Sequence, residues 1–161
     1  MTFILDIERF SSDSKPDHER AMRFIKLRIG VDPNEGHVYW LIVQLDVLPG
    51  AGDELSFWIE SESEDGEIEQ FRDGHRTRFL DRYARSQILS SLLNAIQILL
   101  EHSKPNHVIL ITGQFRLPDK ALAKFAKIVE IFKGSGYNLE HTGISLGVRS
   151  WQFKLNLRAI P

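Results

Sequence analysis

Polar and apolar positions alternate through Ile25, Leu27, Ile29 and Val31, and that period of two predicts a strand. Before it, "TFILDI" is a short apolar run that reads as a first strand, and "SSDSKPDHE" reads as a loop or a helix start. The turn "DPNEG" leads into "HVYWLIVQLDV", where Tyr39, Leu41, Val43, Leu45 and Val47 define one face. Val38, Trp40 and Ile42 make the other face apolar as well, as expected of a strand in the middle of a covered sheet. After the turn "LPGAGD", Leu55, Phe57 and Ile59 alternate again. Strands joined by such short turns predict an antiparallel meander.

The period then changes. Ile88, Leu89, Leu92, Leu93, Ile96, Leu99 and Leu100 recur at helical steps and predict an amphipathic helix over 82–102, stopped by "SKPNH". "VILIT" reads as a buried strand, and "GQFRLPDK" as a loop with Pro118 in the first turn of a second helix. Ala121, Leu122, Phe125, Ile128, Val129 and Phe132 mark the apolar stripe of that helix, which Gly134 and Gly136 can end. "YNLEHT" predicts a strand, and Trp151, Phe153, Leu155 and Leu157 predict a last one. The expected fold is α/β (α+β): one mixed sheet in the order β-β-β-β-α-β-α-β-β, with two main helices packed on it. The segment 82–112 should form the right-handed crossover between parallel strands.

A chain of 161 residues with no internal repeat and no linker is expected to be a single domain over 1–161. It has no cysteine, so disulfides, thiolate nucleophiles and cysteine-ligated zinc are excluded. "MTFILDIERF" does not read as a signal peptide, and no apolar stretch reaches the length of a membrane span. A cytoplasmic protein without a membrane partner is expected.

The net charge of −2 conceals a split. Residues 1–70 carry 6 Lys and Arg against 16 Asp and Glu, a net of −10, and residues 71–161 carry 14 against 6, a net of +8. The boundary is abrupt: "ESESEDGEIE" (60–69) is followed by "FRDGHRTRFLDRYARSQ" (71–87). Arg72, Arg76, Arg78, Arg82 and Arg85 suit a phosphate, because a guanidinium is always charged and binds two oxygens at once. They lead into a helix N-terminus, which also favours anions. The other reading is an exposed loop whose arginines pair with Asp73, Asp81 and the acidic run; Arg82 and Arg85 then lie on the outer helix face. The acidic run does not match a calcium loop and reads as a solvated hairpin loop. None of the six histidines has metal-ligand spacing, so no metal is expected. Trp151 reads as core. Trp40 and Trp58 fall on the opposite parity, where they cover the second face of the sheet or line a cleft.

"QILSSLLNAIQILLEHSKPNHVILIT" and "IVEIFKGSGYNLEHTGISLGVRSWQFKL" resemble the central helix–strand and the C-terminal helix–hairpin of the GNAT superfamily of N-acetyltransferases, over about residues 85–157. The resemblance implies an acetyl-CoA or other acyl-CoA cofactor, held by Arg72, Arg76, Arg78, Arg85, Ser86 and Gln87 at the entrance to the central helix. It also implies direct attack of an acceptor amine, with His75 or Glu60 as base through water. Two departures fall on the chemistry. The family pattern Q/R-x-x-G-x-G/A meets "ARSQIL" here, without either glycine, and Phe132 stands where the family carries a proton-donating tyrosine. The alternative is a non-catalytic interaction protein that uses its acidic and basic halves to bind a macromolecule. Nucleic acid is disfavoured, since the net charge is near neutral and no aromatics are interleaved with the arginines on a sheet face.

Overall fold

A computed structural model describes residues 2–7, 23–72, 77–112, 119–145 and 147–156. The chain is α+β, with one mixed eight-stranded sheet and two helices. In order these are β1 (Ile4–Leu5), β2 (Phe24–Asp32), β3 (His37–Leu48), β4 (Gly52–Glu62), β5 (Ile68–Phe71), α1 (Arg82–Ser103), β6 (His107–Thr112), α2 (Asp119–Gly134), β7 (Tyr137–Ser145) and β8 (Val148–Leu155). The strands lie in the order β1-β2-β3-β4-β6-β8-β7, with β5 paired to β4 beside this path.

The alternating pattern becomes pleat. Ile25, Leu27, Tyr39, Leu41, Val43, Leu45 and Leu55 share one face and are buried against the helices. α1 and α2 contact each other and cover that same face. α1 contributes Ile88, Leu92, Ile96, Leu99 and Leu100, and α2 contributes Phe125, Ile128 and Phe132. Phe132 stacks on Phe153 of β8, with ring centroids 3.9 Å apart and 9° between planes. Phe125 stacks on Trp151 at 4.8 Å. On the other face Lys26 lies over the Trp40 ring, 4.6 Å from its centre, so an amphipathic cation covers the indole where no helix does among the described residues.

One strand more is present than the sequence pattern predicts. The acidic run is an exposed hairpin, as expected, but its arms are strands: β4 continues through Glu62, turns over Ser63–Glu67 and returns as β5, with Ile59 opposite Phe71 and Glu62 opposite Ile68. The register is set by pairing and by burial of Phe71, which outweigh the charge of the segment. At the ends of the helices, Lys104 adopts a left-handed φ of 43° to close α1. Gly136 takes φ 87° after α2, whereas Gly134 stays in the helix. Pro118 and Leu157 lie outside the described residues.

β4 and β6 are parallel neighbours joined through α1, but they pair only at Asp53–Val108, Glu54–Ile109 and Leu55–Leu110. Gly52, at φ 109°, sits at the closed end of this pair, where a Cβ would come within 2.8 Å of the His107 Cβ. Beyond Leu55 the strands part. β6 carries on to Thr112 along β8, and β4 meets β5 only from Ile59 onward. Ser56, Phe57 and Trp58 therefore have β3 on one side and no strand on the other among the described residues.

Candidate functional site

A cavity of about 330 Å³ opens against this unpaired stretch of β4. That volume falls in the range of small-ligand pockets. Phe57, Trp58 and Ile59 all line it. Successive strand residues point to opposite faces, so three in a row reach one cavity only where it meets the open edge of the strand. The first turns of α1 and the residues before it supply Leu80, Arg85, Ile88 and Leu89, and β5 with its exit supplies Phe71 and Arg72. α2 supplies Lys120 and Lys124, one helical turn apart on one face.

The lining is apolar except for Thr77 and a set of cations. Arg72, Arg85, Lys120 and Lys124 reach the cavity, and among the described residues no carboxylate lines it. Lys124 is the most enclosed of them. Its Nζ lies 5.1 Å from the centre of the Phe57 ring and 4.9 Å from that of Phe125. Burial holds its ammonium below the ordinary lysine range, with no carboxylate among the described residues to offset the effect. The ring faces favour the charged form, but the loss of water outweighs them.

At the rim, the Arg72 guanidinium stacks 4.3 Å above the Trp58 ring. Trp58 Nε1 donates to Glu60 Oε1 at 2.8 Å, Gln70 Nε2 donates to the same oxygen at 2.9 Å, and Arg72 Nε donates to Gln70 Oε1 at 3.1 Å. These four residues form a latch that fixes the indole and the guanidinium.

Of the residues singled out from sequence, Arg72 and Arg85 come together at the cavity. Arg85 also donates to the Thr77 carbonyl at 3.2 Å. Ser86, Gln87 and Arg78 do not line it: Ser86 and Arg78 are exposed, and Gln87 is partly buried elsewhere on α1. Glu60 does not line the cavity; it shares the sheet face of Trp58, and its carboxylate accepts from Trp58 and Gln70 at the rim. His75 and Arg76 lie outside the described residues. Arg82 is exposed on α1.

The N-terminus of α1 differs from the expectation of a free anion site. Asp81 is its N-cap and accepts from Ala84 N at 2.7 Å, so a carboxylate of the chain already occupies the positive end of the helix. An anion near this helix end would have to be met by side chains. Within the acidic run, Glu62 pairs with Lys26 at 3.4 Å, and Glu60 is joined to Arg72 only through Trp58 and Gln70. Phe132 is fully buried on Phe153, away from the cavity.

Sequence reasoning passed over Lys120, Lys124 and the Asp81 cap. A signal for Lys124 was present. It falls three residues after Ala121 and four before Ile128, on the apolar stripe itself, where a lysine is out of place. Among the described residues no group of three or more His, Asp and Glu side chains is gathered as for a metal ion, and no helix is long and apolar enough to cross a membrane. Searches of protein-family models, curated proteins and solved structures find no match to this chain.

Proposed function

We propose that this chain is a GNAT-like domain whose cavity binds an acyl-CoA or a related anionic ligand with an apolar arm. One observation carries the reading: a largely apolar cavity with four cations, and no carboxylate among the described residues, lies where β4 and β6 part. The strand order, with two parallel neighbours separating beyond three paired positions, agrees with the resemblance in the second half of the chain. The apolar walls of Phe57, Ile88 and Leu89 suit an acyl–pantetheine arm, and Arg72 and Arg85 at the entrance suit phosphates. The open edge of Ser56–Trp58 offers backbone groups to amides in an extended ligand.

The phosphate grip differs from the family pattern. Both family glycines are missing from "ARSQIL" (84–89), which lies within α1, and Asp81 repels a phosphate from the helix end. Binding therefore rests on side chains, and affinity falls as salt rises. Among the described residues no carboxylate or histidine faces the cavity as a base, so transfer to an external amine is the weaker half of the reading.

Trp58 lines the cavity and reports occupancy through its fluorescence. Titration with acetyl-CoA, longer acyl-CoAs and CoA should give saturable quenching, tightest for the acyl forms. Arg72→Glu with Arg85→Glu should weaken it by about tenfold or more, since a charge-assisted contact contributes about 1.5–3 kcal/mol. No saturable signal with any of them, in a folded protein, would remove this reading. It would favour the alternative in which the exposed Glu64, Asp65, Glu67 and Glu69 of the β4–β5 hairpin meet a basic macromolecule.

A further inference from the structure

We infer that Lys124 is itself an acyl acceptor: its amine attacks the carbonyl of a thioester bound in the cavity and leaves the chain with an amide at this position. The inference rests on the cavity reading above and adds the nucleophile. Lys124 projects from α2 between the rings of Phe57 and Phe125, at 5.1 and 4.9 Å, and lines the same cavity as the arginines at its entrance. A ligand held by phosphates at Arg72 and Arg85 has its acyl end directed inward, along the apolar walls. The amine waiting there has no carboxylate partner among the described residues, unlike Lys133, which pairs with Glu130 at 2.9 Å.

Two physical effects favour reaction at this lysine over exposed ones. Burial draws the ammonium below its ordinary range, so a larger share is neutral and nucleophilic. Acylation also removes an unpaired charge from an apolar site, which relieves its desolvation. The step balances without a further reactant. The N–C bond forms, the C–S bond breaks, and the proton released by the attacking amine goes to the departing thiolate. Lys120, one turn away on the same face, supplies positive charge beside that sulfur. The product neutralises one of four cavity cations and occupies the apolar space, so the reaction is single-turnover and closes the site.

The test is incubation of the folded protein with acetyl-CoA, followed by intact-mass measurement and peptide mapping, with Trp58 quenching recorded in parallel. Expected is one acetyl group at Lys124, added with saturation at the concentration that saturates quenching. Its rate should exceed that of the exposed Lys133 and Lys154 by on the order of tenfold or more, since the bound thioester is held beside it. Lys124→Arg removes the nucleophile and should gain no acetyl group at 124 and none above background elsewhere. In urea the preference for Lys124 should disappear. Saturable binding without acetylation of Lys124, or acetylation spread evenly over exposed lysines, overturns the acceptor role and leaves the binding reading standing. Absence of both binding and acetylation overturns the two together.

Discussion

The guanidinium of Arg72 lies over the Trp58 ring, 4.3 Å from its centre, and the indole N–H donates to Glu60 at 2.8 Å. The acidic and basic segments thus meet through an aromatic ring, without a direct ion pair between Glu60 and Arg72. A partly exposed cation–π contact contributes about 0.5–1 kcal/mol. Arg72→Ala should lower stability by no more than that in urea unfolding while shifting the emission of Trp58. A larger loss would mean that Arg72 is chiefly a structural residue.

Phe153 is fully buried on Phe132, at the centre of the layer between β8 and α2. Phe153→Ala should cost about 3–5 kcal/mol, from lost burial and the void that remains. Chemical denaturation of the variant measures it, and a loss below about 1 kcal/mol would show that this layer is peripheral.

Asp81 caps α1 and also bars its N-terminus to anions. Asp81→Ala should therefore act in two directions. Thermal stability should fall by about 1 kcal/mol with the lost cap. Affinity for acetyl-CoA or pyrophosphate should rise, because the freed backbone N–H groups and the helix dipole then face the ligand. Calorimetry on the variant reads both, and unchanged or weaker anion binding would separate the cavity from this helix end.

Asp32 is buried, and its carboxylate accepts from Thr2 N at 2.6 Å and Asn34 N at 3.0 Å. Burial acts to raise its pKa, but the N–H donors of Thr2, Asn34 and Glu35 outweigh it and hold the group below the ordinary carboxylate range. Its contribution to stability is then complete above the unfolded value of about 3.9 and is lost as pH falls through the lower folded value. Asp32→Asn should be less stable than the parent chain near neutral pH, with the gap closing as pH falls below about 4. A gap independent of pH would mean that the carboxylate charge plays no part.

The elements that follow a strict period were legible in the sequence. Helix α1 was expected over 82–102 and spans Arg82–Ser103, because its apolar stripe and the residues that stop it are both local signals. Strand β5 was not legible, since Ile68 and Phe71 gain their meaning only opposite Glu62 and Ile59. The same holds for the site. Arg72 and Arg85 stand out by residue type, but the neighbours that make them a site come from β4 and α2. Glu60 was suggested by its charge, but its carboxylate is taken up by the Trp58 indole N–H and by Gln70, contacts that no local pattern announces.

The edge of β4 is shared between two partners, β6 along Asp53–Leu55 and β5 from Ile59 onward. The interval between them is an aperture with a fixed frame, about 13 Å of strand from Leu55 to Ile59. Neither border can retreat without breaking ladder hydrogen bonds, so the frame limits cross-section and leaves length free. On the proposed reading, this opening would admit a slender acyl–pantetheine arm and hold a bulky ring system outside, sorting ligands by girth.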